Sequence, residues 1–258
     1  MEVHHAHHPA HKKNLKEYFL EFFMLFFAVT LGFFAENIRE HYVEKEREIK
    51  FIQNIHQDLQ KDIKEVDATI VFIDKKQLLA DSFFVQIKNN NISNNLPDFY
   101  YYVKNLSFRR IFENSTNGFT QLKTSGGLRL IENNEIIDKI QDYTNNLNRT
   151  LTLQDNNENN GQKYSEKYAK ILNAVTSIEM NDAQILSNKS SDKTNRFLKP
   201  INPRTLVSNK EEDLNELYNI IFNIINRNKY FKNRLIEVKQ SATDLDNLIV
   251  KEYGTHFH

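Results

Sequence analysis

The chain is 258 residues long, 40% apolar and 26% charged, the balance of a folded protein with room for one or two domains. Lysine plus arginine equals aspartate plus glutamate at 34 each, so no net field draws it to nucleic acid or acidic substrates. The absence of cysteine excludes disulfides, zinc–thiolate sites, iron–sulfur clusters and thiol nucleophiles.

Residues 1–14 read as a His-rich tail. His4, His5, His7, His8 and His11 are weak candidates for a divalent metal, since clustered neutral imidazoles chelate readily. Without cysteine or a carboxylate shell the tail is not preorganised. The expectation is incidental metal affinity, with no resident metal or cofactor. His256 and His258 lie at the far end of the chain, across the membrane from this cluster in the topology derived next.

Residues 15–36 read as a transmembrane helix. Phe19 to Ala35, FLEFFMLFFAVTLGFFA, is apolar except for Glu21, and its 17 residues sit at the short end of what a spanning helix needs. Glu21 lies near one end, where a carboxylate reaches the headgroups at modest cost. Lys12, Lys13 and Lys16 precede the stretch, and Tyr18 takes the interfacial position. A cleaved signal fits poorly, because Gly32-Phe33-Phe34-Ala35 lacks a small–x–small site and the helical pattern runs on. A buried soluble helix also fits poorly, since cores seldom place seven phenylalanines in one segment. Arg39, Lys45, Arg47 and Lys50 follow the span, so charge alone does not orient it. Long following domains translocate largely regardless of charge, which favours a cytoplasmic N-terminus and a large domain outside.

A single stripe leaves the span. Alternate steps of three and four from Glu21 give Met24, Ala28, Leu31, Ala35, Ile38, Tyr42, Lys45, Ile49, Ile52, His56, Leu59, Ile63, Val66, Ile70 and Ile73. From Ile49 onward the pattern lasts more than three heptads, long enough for a coiled-coil reading. Glu44, Glu46, Glu48, Asp58, Lys61 and Lys64 lie between these positions and read as a solvated face. No Gly or Pro falls between Gly32 and Pro97, so span and stripe predict one rod ending near Lys88, on the order of 100 Å long. Ala28 and Gly32 form a small–x–x–x–small pair that lets helix backbones approach in lipid. The stripe therefore serves either parallel self-association or packing against later helices of the same chain, and the two can hold at different heights.

Beyond the rod, an Asn/Ser cluster at 89–95 ends the helix, and Pro97 suits the first turn of a second one running to about Asn114. Ser115 or Thr116 is placed to cap a helix from Gly118 to about Thr124, which Ser125-Gly126-Gly127 closes. Leu128 to Ile131 is an apolar connection. Asn133 or Asn134 caps a further helix with Ile136, Ile137, Ile140 and Tyr143 on one face, continuing past a break at Gly161 to about Glu179. Residues 180–209, with Pro200 and Pro203, read as irregular, and Leu214 to about Val250 as a last long helix. The predicted class is all-α: one transmembrane helix continuous with a long helix, then a bundle with a short helical hairpin, residues 37–258 forming the soluble domain.

Two segments carry a resemblance. Glu21–Ile63, with Glu21, Asn37, Glu40, Asp58 and Leu59, and Phe119–Thr144, with Leu122, Lys123, Ser125, Gly126, Leu130, Ile131 and Tyr143, resemble the two hallmarks of an uncharacterised family. Its members are single-pass membrane proteins of Bacteroidota, a domain of unknown function with a glutamate-bearing span and a Leu-Lys-x-Ser-Gly hairpin. The resemblance covers about a quarter of the chain. It departs at Ala28, where many relatives carry glycine, and at Ile38, where many carry tryptophan. It implies an inner-membrane anchor with a periplasmic helical domain and supplies no activity.

Other polar groups have structural readings. His41 and Glu44 share a helix face, but di-metal bundles need Glu-x-x-His pairs from two helices and two further glutamates, so a surface ion pair is expected. His56 at a stripe position sets register or finds a local partner. Lys123-Thr124-Ser125-Gly126-Gly127 has phosphate-loop composition in the wrong order and reads as a helix-ending turn. Phe108-Arg109-Arg110 and Arg227-Asn228-Lys229-Tyr230 mix basic and aromatic residues as nucleic-acid surfaces do, yet at zero net charge they read as solvated helix faces.

The leading expectation is a non-enzymatic, membrane-anchored interaction or scaffold subunit, self-associating or joined to other membrane-protein subunits of an envelope complex. Its partners are membrane lipid and a second helix, not nucleic acid. The helix–helix interface is placed at Glu21, Ala28, Gly32, Ala35, Ile49, Ile52, His56, Leu59, Ile63, Val66 and Ile70. The alternatives are a periplasmic ligand-sensing domain that signals through a separate partner, and an ion-coupled accessory subunit acting through Glu21.

Overall fold

The structure, a computed structural model, describes residues 14–89, 95–115, 117–189 and 197–257. Its architecture is all-α, with six helices, two 3-10 turns and no strand among the described residues. Helix α1, Leu15–Lys88, is 74 residues of unbroken helix, about 110 Å at 1.5 Å per residue, as the lack of Gly and Pro after Gly32 predicts. It opens with the Asn14 backbone N–H donating to Glu17 Oε2 at 3.2 Å. Helix α2, Leu96–Leu106, starts where Asn95 Oδ1 accepts from the Asp98 amide at 3.3 Å, with Pro97 in the first turn. Helix α3, Asn117–Thr124, ends in the expected turn: Gly126 takes φ +68°, and a 3-10 turn, Gly127–Leu130, follows. The side chain of Asn133 caps α4, Asn134–Ile171, by accepting from the Glu135 amide at 2.9 Å. Helix α5 is Ala174–Lys189 and α6 is Glu211–Tyr253, closed by a 3-10 turn at Gly254–His256.

Three expectations about boundaries need correction. Helix α2 stops at Leu106 instead of Asn114, because side chains elsewhere claim the backbone beyond it. Lys76 Nζ donates to the Phe108 carbonyl at 2.8 Å, and Gln154 takes both the amide and the carbonyl of Phe112, at 2.8 and 3.2 Å. Gly161 does not break α4. It leaves room for Arg109, whose guanidinium would lie 2.4 Å from a Cβ there. The break comes at Leu172, extended at ψ 144°, after which Asn173 Oδ1 accepts from the Val175 amide and α5 carries helix into residues 180–189.

Helices α1, α4 and α6 form the bundle. Asp67–Lys239 and Asp74–Lys232, each at 2.6 Å, run in opposite order along α1 and α6, so these two are antiparallel. Lys139–Asp244 and Lys167–Asp213 show the same for α4 and α6. One core, nearer the N-terminal end of α1, joins Ile52, Leu59 and Val66 to Leu235, Val238 and Leu245, with Ile136 and Tyr143 from α4. A second core at the far end packs Phe83, Phe99, Tyr100, Tyr164 and Leu217. Each fully buried aliphatic or aromatic side chain contributes about 1.5–3 kcal/mol.

Candidate functional site

The α1 stripe divides into two parts with different neighbours. The most apolar 18-residue window of α1 is 0% buried, so it is not the core of this bundle, and it is the single candidate membrane span among the described residues. Glu21, Ala28, Gly32 and Ala35 are all exposed on it, and the stripe remains exposed past it at Ile38 and Tyr42. The rest of the proposed helix–helix interface belongs to this chain. Ile52, Leu59 and Val66 are fully buried, and Ile49, Ile63 and Ile70 pack against the same core. His56 lies 2.6 Å from Asp246 on α6 and stacks on Phe257. A parallel coiled coil through Ile49 to Ile70 is thus replaced by intrachain packing, because α6 and α4 fill that face.

The expected solvated face also needs correction, since Glu48 and Asp58 are buried, together with Asp62. These three carboxylates hold the segment from Ser115 to Glu132 by its backbone. Asp62 Oδ1 accepts the Ser115 amide at 2.6 Å, Asp58 Oδ2 the Gly118 amide at 2.6 Å, and Glu48 Oε1 the Glu132 amide at 3.2 Å. Asp58 therefore does at the start of α3 what Ser115 or Thr116 was expected to do; Thr116 lies outside the described residues. Tyr143 donates its hydroxyl to Asp62, Tyr253 donates to Glu48 at 2.5 Å, and Lys45 bridges Glu48 at 2.6 Å. The segments 21–63 and 119–144 thus meet here: Asp58 and Leu59 on one side, Leu122, Ile131 and Tyr143 on the other. Asp62 and Tyr253 were missed. The one available signal was Asp58 and Asp62 four apart on a rod, a like-charged pair that costs stability unless something meets both.

Burial raises the Asp62 carboxyl above the usual carboxylate range, opposed by its bonds from Tyr143 and Ser115. A raised carboxyl favours folding most when protonated, so this contribution is present at low pH and lost as pH rises through the raised value. Tyr143→Phe leaves the ionised carboxylate with one donor fewer, and the expected loss is about 2 kcal/mol at neutral pH. Urea titrations should show that loss narrowing as the pH falls and Asp62 protonates. A loss independent of pH would assign it to packing alone.

A partly open cavity of about 360 Å³ lies elsewhere, between α1, the segment after α2, α4 and α6. Phe72, Ile73, Leu106, Ile224 and Phe231 make apolar walls, and Lys76, Arg109, Arg110 and Arg227 supply positive charge. Burial pushes the Lys76 ammonium down to about 8, with the like charge of Arg109 adding to the effect. Arg110 pairs with Glu65 at 2.8 Å. Arg227-Asn228-Lys229-Tyr230 is the exposed helix face expected of it, on α6, whereas Phe108-Arg109-Arg110 departs from the expectation. The latter is not helical, and the bundle brings both to one opening. Nothing in the sequence around Lys76 marked it.

No family model, curated protein or solved structure matches this chain. The remaining candidates divide simply. His4, His5, His7, His8 and His11 lie outside the described residues, as does His258. His41 and Glu44 line a shallow, open depression with Glu40, Arg129 and Glu132. Among the described residues no group of three or more histidine, aspartate or glutamate side chains is arranged to hold a metal ion. Lys123 and Ser125 are exposed at the end of α3, where Ser125 Oγ donates to the Gln121 carbonyl at 2.6 Å.

Proposed function

We propose that this chain is a single-pass membrane protein that holds a rigid helical bundle at a fixed distance from the bilayer and acts as a non-enzymatic interaction subunit. The observation that carries the reading is the continuity of α1. An apolar stretch with none of its residues buried by the chain passes, without a break, into a helix whose other end is the spine of the bundle. Lipid is the solvent that suits such a surface, because helical backbone groups are satisfied internally and phenylalanine side chains gain by leaving water. The exposed stripe Ala28, Gly32, Ala35, Ile38 and Tyr42 is where a second spanning helix packs, since small residues permit close approach. A second copy of the chain is the first partner to test, with an inner-membrane location and the soluble domain in the periplasm.

Membrane fractionation of the full chain tests the anchor. It should pellet with membranes, resist carbonate and high-salt extraction, and dissolve only in detergent; recovery in the soluble fraction ends the reading. The natural absence of cysteine makes a single Ile38→Cys substitution a clean probe of the partner. Disulfide-linked dimers in native membranes support self-association. Monomer at high density assigns the stripe to a different subunit.

A second reading, a ligand-sensing domain acting through a separate partner, is favoured by the cavity about 56 Å along α1 from the end of the apolar stretch, counting 37 residues from Ala35 to Phe72.

A further inference from the structure

We propose that the cavity between α1, α4 and α6 binds a small organic anion with an apolar body, its acid group held by Lys76 and Arg227. This deepens the ligand-binding reading and rests on it.

Three observations point to an anion. Every charged side chain lining the cavity, among the described residues, is a cation, and no carboxylate lines it. Lys76 is 7% exposed, and one of its three donors goes to the Phe108 carbonyl at 2.8 Å, with no ion-pair partner among the described residues. A buried ammonium without a counter-charge is costly, and a ligand acid group supplies that charge where water does not. The bundle also assembles this charge deliberately in space: Arg109 and Arg227 lie 118 positions apart in sequence and reach the same opening as Lys76.

The rest of the lining describes the body of the ligand. Phe72, Leu106, Ile224 and Phe231 give flat and aliphatic walls that a bare inorganic ion leaves unfilled. Asn157 Oδ1 is buried without a hydrogen-bond partner, an acceptor that suits a hydroxyl or amide donor on the same molecule. A volume of about 360 Å³ is within the range of small-molecule sites. At its distance along α1 the cavity lies beyond reach of headgroups in the bilayer that holds the span, so the ligand is a diffusible one.

Calorimetric titration of the full chain in zwitterionic nanodiscs, with empty discs subtracted, tests this. The probes are 2-naphthoate, octanoate, neutral 2-naphthamide and inorganic phosphate. One naphthoate or octanoate should bind per chain, with naphthamide and phosphate at least about tenfold weaker, since a charge-assisted hydrogen bond is worth that factor or more. Lys76→Met should weaken the bound acid about tenfold or more while the protein melts no lower than wild type, and Arg227→Gln, at the exposed mouth, should weaken it several-fold. Equal affinity for naphthoate and naphthamide, or an unchanged affinity in Lys76→Met, overturns the anion assignment and leaves the cavity a neutral site. Phosphate binding as tightly as naphthoate overturns the apolar body. Failure of all four probes at millimolar concentration removes the ligand-binding reading as well.

Discussion

Gly118→Ala is expected to destabilise the bundle by about 3–5 kcal/mol, a large loss for a single methyl group. A Cβ at residue 118 falls 2.8 Å from the Asn54 carbonyl carbon, 2.9 Å from the Ile55 nitrogen and 3.0 Å from the Asn54 oxygen. All three are backbone atoms inside α1, which cannot rotate aside as a side chain does. Helix α3 must therefore back away, at an overpacking cost of about 1–3 kcal/mol. The retreat also stretches the 2.6 Å bond from the Gly118 amide to Asp58, a carboxylate only 3% exposed. Leaving such an acceptor unmet costs about 1–3 kcal/mol and more when it is charged. Gly126→Ala is the control. It sits in the same hairpin at φ +68° with open space around it, so backbone strain of about 1–2 kcal/mol is its whole cost. Urea unfolding of the two variants should separate them clearly. Equal losses would mean that the close approach of α3 to α1 contributes nothing.

Lys76→Met should act in the opposite direction and stabilise the protein by about 1.5 kcal/mol at pH 7. Desolvation lowers the Lys76 ammonium from 10.5 to about 8, so the folded chain holds this proton less tightly than the unfolded one. Below pH 8 the group is charged in both states and the penalty, about 3 kcal/mol, is fully present. Between about pH 8 and 10.5 the unfolded chain binds more protons, so the penalty lifts and wild-type stability climbs. Methionine removes the penalty and loses the charge-assisted bond to the Phe108 carbonyl, about 1.5 kcal/mol. Its advantage should therefore be large at pH 7 and vanish near pH 10. A lysine introduced for stability would give the reverse result, with the variant weaker at every pH. The stabilising outcome fits a residue retained for what it binds.

The course of α1 was readable because its signals are local. A 17-residue apolar stretch, a three–four stripe and the lack of Gly and Pro all act within a few turns, and they place the end of the rod at Lys88, where it is found. The same holds for Pro97 in the first turn of α2, the Asn133 cap and the Gly126 turn, each of which depends on backbone geometry over four or five residues. Which way a residue off the stripe faces is a different matter. Glu48 and Asp58 carry every local mark of solvated positions, yet they are buried because backbone amides 60 to 84 residues away come to meet them. The end of α2 was hidden for the same reason, since Lys76 and Gln154 compete for its backbone from other helices.

Local periodicity and composition by themselves determined the helical class, the candidate span and the unbroken rod, because helix formation and the preference for lipid are properties of consecutive residues. Only the tertiary structure decided that the lower stripe is filled by α6 and α4, that three carboxylates grip one hairpin, and that two basic segments close on a single cavity around Lys76. Those outcomes depend on which distant groups can satisfy a buried charge, and distance along the chain says nothing about distance in space.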